Sequence, residues 1–184
     1  IVGDGFHFWV KIKARVNQDK VTEMARNVKE KSIVEDYKKI QQEYAQNQKE
    51  MEILKKELAL TKGAANRKQV ESRISDEEKR FQANEWFEKG LRHTVSREED
   101  LAIDEYTRAI ALNPNYAEAY NNRGIAYYNR GLLTNDRRQF ERAVDDFHKV
   151  IALKPASNAA VFAQAAIYLY QEQYDQAISE LDKA

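Results

Sequence analysis

Along the second half of this chain one ladder of small, bulky and proline residues is written three times, and it leaves few folds open. Trp86, Gly90, Ala102, Tyr106, Ala109 and Pro114 make the first copy. Tyr120, Gly124, Tyr127, Ala143, Phe147, Val150 and Pro155 make the second, and Val161, Ala165, Tyr168, Ala177, Leu181 and Ala184 the third. Twelve residues separate Gly90 from Ala102 and Ala165 from Ala177; twelve also separate Ala102 from Pro114 and Ala143 from Pro155. Each proline stands six residues before the next bulky anchor. The physical logic is that of a helical hairpin. Gly90, Gly124 and Ala165 are small where two helices cross closely, and Ala102, Ala143 and Ala177 are small at the matching point of the second helix. Tyr106, Phe147 and Leu181 fill the space beside them, while Pro114 and Pro155 stop the second helix before the next begins. Such hairpins bury their apolar faces by stacking on one another.

The ladder resembles the tetratricopeptide repeat family, whose pattern is W-x2-L-G-x2-Y followed by A-x3-F, A and P. Lys89, Arg123 and Gln164 depart from it at the leucine position. The resemblance covers about residues 83–184 and implies an all-α solenoid of three repeats, 83–116, 117–157 and an incomplete 158–184. The second repeat carries seven extra residues, because Gly124 and Ala143 lie nineteen apart. Seven residues are about two helical turns, so both helices could lengthen by one turn and keep register. A loop over Leu132 to Gln139, displaying Asn135, Asp136, Arg137 and Arg138, is the alternative.

Residues 17–80 read as a long helical segment. Tyr37, Ile40, Tyr44, Asn47, Met51, Leu54 and Leu58 recur in steps of three and four, a heptad seam flanked by interspersed Lys, Glu and Gln. Val21, Met24 and Val28 begin a stripe out of phase with it. Gly63-Ala64-Ala65-Asn66 offers a break, after which Val70, Ile74 and Phe81 continue an apolar stripe. The segment is therefore either an antiparallel hairpin within the chain or an intermolecular coiled coil. Ser75 and Glu78 match a capping box, which predicts a fresh helix start there.

Residues 1–16 carry a different period. After the turn signal Gly3-Asp4-Gly5, Phe8, Val10, Ile12, Ala14 and Val16 alternate with His7, Trp9, Lys11, Lys13 and Arg15, as in a half-buried strand. No second strand of useful length exists to pair with it, so we expect the chain to be part of a longer protein with a sheet domain upstream. A strand of this type leading into a helix resembles the closing element of small α+β domains in bacterial envelope lipoproteins. That implies an envelope or periplasmic setting, with the cytoplasm as the alternative. The third repeat stops at Ala184 with Ile167, Tyr168, Ile178 and Leu181 uncapped, so further repeats or another chain are expected to cover that end.

Composition narrows the functional classes. Thirty basic residues balance thirty acidic ones, which argues against a general nucleic-acid binder. With no cysteine, disulfides, thiolate metal sites and cysteine nucleophiles are excluded. No apolar run reaches the roughly 18 residues of a membrane span. His7, His93 and His148 are scattered without metal-ligand spacing, and His93, at the tyrosine position of repeat one, reads as a structural imidazole. Lys62-Gly63 lacks the glycines of a phosphate loop, and Ser96 and Ser157 lack a nucleophile-elbow context. The acids Glu98, Glu99 and Asp100 read as charge compensation at a helix start. Neither catalysis nor a cofactor is expected.

The family resemblance implies a concave groove lined by the first helix of each repeat. Its positions fall on Asn84, Phe87, Glu88 and Leu91 in repeat one. In repeat two they are Glu118, Asn121, Asn122, Ile125, Tyr128 and Asn129; in repeat three, Phe162, Ala163, Ala166, Leu169 and Tyr170. Asparagine amides suit a peptide backbone because each both donates and accepts, and Phe87, Phe162 and Tyr170 suit apolar side chains. The clamp by which some family members grip the acidic C-terminus of heat-shock chaperones needs cations in repeats one and three. Here Phe87, Leu91, Ala159 and Ala163 occupy those positions and only Asn122 matches, so that ligand is not expected. The expected function is a non-catalytic scaffold that binds a peptide or helix of a protein partner in this groove. The alternative is a structural element that oligomerises through the coiled segment and the open repeat end.

Overall fold

A computed structural model describes residues 34–182. The expected strand, the Val21 stripe and the boundary after residue 16 lie outside the described residues. Every regular element among the described residues is helical: α1 over residues 34–60, α2 (Ala64–Val95), α3 (Glu99–Leu112), α4 (Ala117–Thr134), α5 (Arg137–Leu153), α6 (Asn158–Tyr170) and α7 (Tyr174–Leu181). The helices pair as α2 with α3, α4 with α5 and α6 with α7, and α3 against α4 and α5 against α6 join the pairs into a stack. This is the expected helical solenoid.

The ladder residues sit where their sizes require. A methyl group added to Gly124 would lie 2.7 Å from the Phe147 ring and 3.3 Å from the Ala143 carbonyl, so α4 and α5 touch backbone to side chain there. Gly90 meets the Tyr106 ring in the same way, and Tyr106 is fully buried with its hydroxyl 2.8 Å from Thr94. Asn113 and Lys154, the residues before Pro114 and Pro155, leave the helical region and end α3 and α5. Ser157 caps α6 by accepting from the Ala160 amide, and Asp136 caps α5 by accepting from Arg138.

The seven extra residues of repeat two lengthen its helices and form no loop. Helix α4 runs to Thr134 and α5 starts at Arg137, leaving a turn of two residues, Asn135 and Asp136. The added turns stay in register because Gly131 lets the Phe140 ring pack against α4, repeating one level higher the contact of Gly124 with Phe147.

Helices α1 and α2 form an antiparallel hairpin within the chain. The Leu58 carbonyl accepts from Arg67, Arg73 pairs with Glu57 at 2.8 Å, and the Tyr44 ring lies 5.2 Å from Phe81. The heptad seam is the face so used: Ile40, Asn47 and Leu54 are buried, and Tyr37, Tyr44 and Met51 half-buried. Helix α2 also corrects one expectation, since it runs unbroken through Ser75 and Glu78. No glycine or proline interrupts residues 64–89, and a start at Ser75 would break the stripe of Val70, Ile74 and Phe81. Its first half pairs with α1, and its second half is the first helix of repeat one.

Candidate binding groove

The first helices of the three repeats, α2, α4 and α6, lie side by side in that order. Over the first two of them the groove already holds a helix, because α1 lies across α2 and α4. Ile40, 1 % exposed, joins one core cluster with Phe87, Leu91, Tyr106 and Tyr116, and Tyr37 and Tyr44 pack at its margin. Phe87 lies against Tyr116 at 4.9 Å and Tyr106 at 5.6 Å, so it is part of the repeat core and not an open apolar subsite. Leu91 is wholly buried and Asn84 nearly so.

Polar contacts fix the register of α1. The Asn122 amide, 2 % exposed, donates to the Asp36 carboxyl at 2.8 Å and to the Glu118 carbonyl of its own helix at 2.9 Å. The Glu118 carboxylate takes the ammonium groups of both Lys39 from α1 and Lys154 from the end of α5. The Tyr44 hydroxyl donates to Glu88 at 3.1 Å. Burial pushes the Asp36 carboxyl up to about 7; Asn122 and Lys39 work against that shift, and Glu118 and Glu35 add to it. Burial acts in the same direction on Glu118, but its hydrogen bonds from Lys154 and Lys39 hold it below the ordinary carboxylate range. One cation-rich carboxylate and one proton-hungry carboxyl therefore sit side by side under α1.

Beyond α1 the groove residues have other surroundings. Asn121 is buried and its Oδ1 has no hydrogen-bond partner among the described residues. Ile125 joins a second cluster with Phe147, Ala163 and Ala166, and Phe162 stands edge-on to Phe147 at 6.3 Å. Tyr128 and Tyr170, both half-buried, flank Phe140 of α5, at 5.3 Å edge-on and 6.2 Å stacked. Burial raises the Tyr128 phenol. Asn129 is tied back to α3, donating to Glu99 at 2.8 Å. His93 pairs with Glu98 at 2.7 Å in the turn after α2, a local structural contact.

The heptad spacing marks the seam residues as one face, and the family resemblance assigns Asn122 and Glu88 to the groove, but neither signals that these two surfaces meet. Asp36 and Lys39 were passed over because they flank the seam instead of belonging to it. Their i, i+3 spacing on the side of Tyr37 and Ile40 was the available signal. Among the described residues no group of three or more His, Asp or Glu could hold a metal ion, and no helix is long and apolar enough to cross a membrane.

Comparison with known proteins agrees with this architecture. A family model described as TPR repeat matches residues 100–131, and one described as tetratricopeptide repeat matches residues 135–184. The chain is 28 % identical over 133 residues to sperm-associated antigen 1 of Rattus norvegicus, covering 70 % of this chain and 14 % of that protein. It is 29 % identical over 83 residues to DnaJ homolog subfamily C member 7 of Mus musculus, covering 45 % and 16 %. With Hsp70-Hsp90 organizing protein 3 of Arabidopsis thaliana the identity is 30 % over 96 residues, covering 52 % and 16 %. The chain thus spans about one sixth or less of the length of these relatives. The residue ladder, the stacked hairpins and both family models lead to one identification: the chain belongs to the tetratricopeptide repeat proteins.

Proposed function

We propose that this chain is a non-catalytic interaction scaffold whose concave face, built by α2, α4 and α6, receives a helix or peptide of a protein partner. The observation that carries this reading is that the face accommodates a helix: α1 lies on it with an apolar anchor, Ile40, and a side-chain amide contact, Asn122 to Asp36. Helix-in-groove recognition needs both, an apolar stripe for affinity and polar contacts for register. The relatives' names speak of a DnaJ homolog and of a protein that organizes Hsp70 and Hsp90. A chaperone-tail ligand does not follow for this chain, because Ala159 and Ala163 offer no cation at the clamp positions of repeat three.

Oligomerisation through a coiled coil is the weaker reading, since the seam it needs is used between α1 and α2 and against the groove. A photo-crosslinking residue at Tyr128, on the groove side of α4, separates the two. The control carries it at the exposed His148 of α5. A partner adduct from position 128 and none from position 148 is expected. Adducts of equal yield from both positions, or adducts only with the chain itself, would sink the groove reading.

A further inference from the structure

Helix α1 differs from the rest of the core in how it is held. It joins a cluster whose other buried members, from Ala83 to Ala126, come from α2, α3, Tyr116 and α4. It crosses two successive first helices, α2 through Glu88 and α4 through Glu118 and Asn122. The contacts are also of the kind found between binding partners: one anchoring aliphatic residue, flanking aromatics, one buried amide-to-carboxyl bond and one shared ion pair. The bond between Asn122 and Asp36 leaves a carboxyl buried without a cation of its own, because Lys39 is turned to Glu118. A core built only for stability gains little from such a group, and an interface gains register from it.

We propose that residues 36–44 of α1 are a ligand held in cis, and that a partner helix enters the groove over repeats one and two by displacing them. This rests on the groove reading above and adds the chemistry of the partner. The incoming helix must present a carboxyl for Asn122 and, three residues on, a cation for Glu118. An aliphatic residue takes the place of Ile40, with aromatics at the positions of Tyr37 and Tyr44. Glu118 keeps Lys154 during the exchange, so the carboxylate that receives the partner's cation stays paired throughout. A partner whose cation is replaced by an acid is rejected by Glu118.

The test uses the whole chain and a fluorescent synthetic peptide with the sequence of residues 34–50. In Tyr37→Ala/Ile40→Ala the resident helix is weakened, and the peptide is expected to bind at least tenfold more tightly than to the native chain. A second form needs no weakening of the core. The chain lacks cysteine, so Lys39→Cys/Lys154→Cys, at the two positions whose amines meet on Glu118, can be joined by a reducible bismaleimide, closing α1 onto the end of α5 with Glu118 left in place. Peptide binding should be absent while the link is closed and return on reduction. Equal binding to native and weakened chains at equal helicity overturns displacement, and so does binding that ignores the closed link, or no binding in any form. Adding Asn122→Ala to the weakened chain should cost the gained affinity, and unchanged tight binding overturns the partner chemistry proposed for Asn122. The groove reading is judged apart from this by the Tyr128 crosslink: a partner adduct without displacement of α1 overturns displacement alone, and no adduct overturns both. A mixture of the two single-cysteine chains that links readily between copies would overturn holding in cis and make a second copy the occupant.

Discussion

Asp36 concentrates the physical tension of this fold in one side chain. Burial lifts its carboxyl from the ordinary range to about 7, against the amide of Asn122 and the nearby Lys39 of its own helix. Glu118 from α4 and Glu35 from α1 press it the same way as burial, and Tyr106 of α3 and Tyr116 lie within its electrostatic reach. A carboxyl raised on docking takes up a proton as it docks. The stability it lends α1 is therefore complete below about pH 4 and is lost progressively as pH rises to about 7, up to about tenfold per unit. Above that the dependence levels off. Asp36→Asn keeps a hydrogen-bonding side chain and carries no charge, so at pH 8 it should hold α1 more tightly than the native residue and show a smaller loss between pH 4 and 7, the remainder coming from Glu43, whose carboxyl burial also raises. Hydrogen exchange over residues 36–44, compared between the two chains across that range, reads the difference. Parallel pH profiles would show that Asp36 is not the titrating group.

At the scale of elements, the turns within each repeat share a device the ladder does not display. Arg97, Asn135 and Glu172, the residues that follow α2, α4 and α6, all adopt positive φ of 59°, 52° and 59°. After α2, Arg97 donates to the Thr94 carbonyl and Glu98 to that of His93; after α6, Glu172 and Gln173 repeat the pair with Leu169 and Tyr168. This double bond closes a helix with a left-handed residue, a place glycine fills without strain. Only Asn135 belongs to the types that tolerate it well. Arg97→Gly and Glu172→Gly should each stabilise the chain by about 0.5–1 kcal/mol. Thermal unfolding checks this, and a lowered midpoint for both would mean that side-chain contacts outweigh the strain. The small-to-bulky rungs, by contrast, were legible beforehand, since Gly124 facing Phe147 and Gly90 facing Tyr106 are demanded by size alone. The left-handed turns were not, because arginine and glutamate carry no signal for that conformation.

Across the whole molecule, burial is uneven. The stack from α2's second half to α7 holds the three apolar clusters, whereas between Ala64 and Arg80 only Val70 is fully buried. The tip of the α1–α2 hairpin exposes Leu60, and its ion pairs across the hairpin, Arg73 with Glu57 and with Glu50, are largely solvent-exposed. Surface pairs of this kind contribute little, about 0–1 kcal/mol. Local opening should therefore begin at residues 55–75 and spread along the hairpin before the repeats loosen. Amide exchange at least tenfold faster there than around Tyr106 or Phe147 is the expected outcome; uniform exchange along the chain would indicate a single cooperative unit.

What the amino-acid sequence determined alone is the repeat unit. Its evidence is short-range: a glycine or alanine must face a ring, and a proline must end a helix, wherever the hairpin happens to lie. The same local logic marked Tyr37, Ile40 and Tyr44 as one apolar face and left open what would cover it. Tertiary structure alone decided that the face turns back onto the chain's own groove, with Asp36 reaching Asn122 across 86 positions of sequence. It also decided that the seven extra residues of repeat two would extend two helices instead of forming a loop. Both outcomes depend on which surfaces meet at a distance, and periodicity within a segment records only that a surface seeks a partner, not which one.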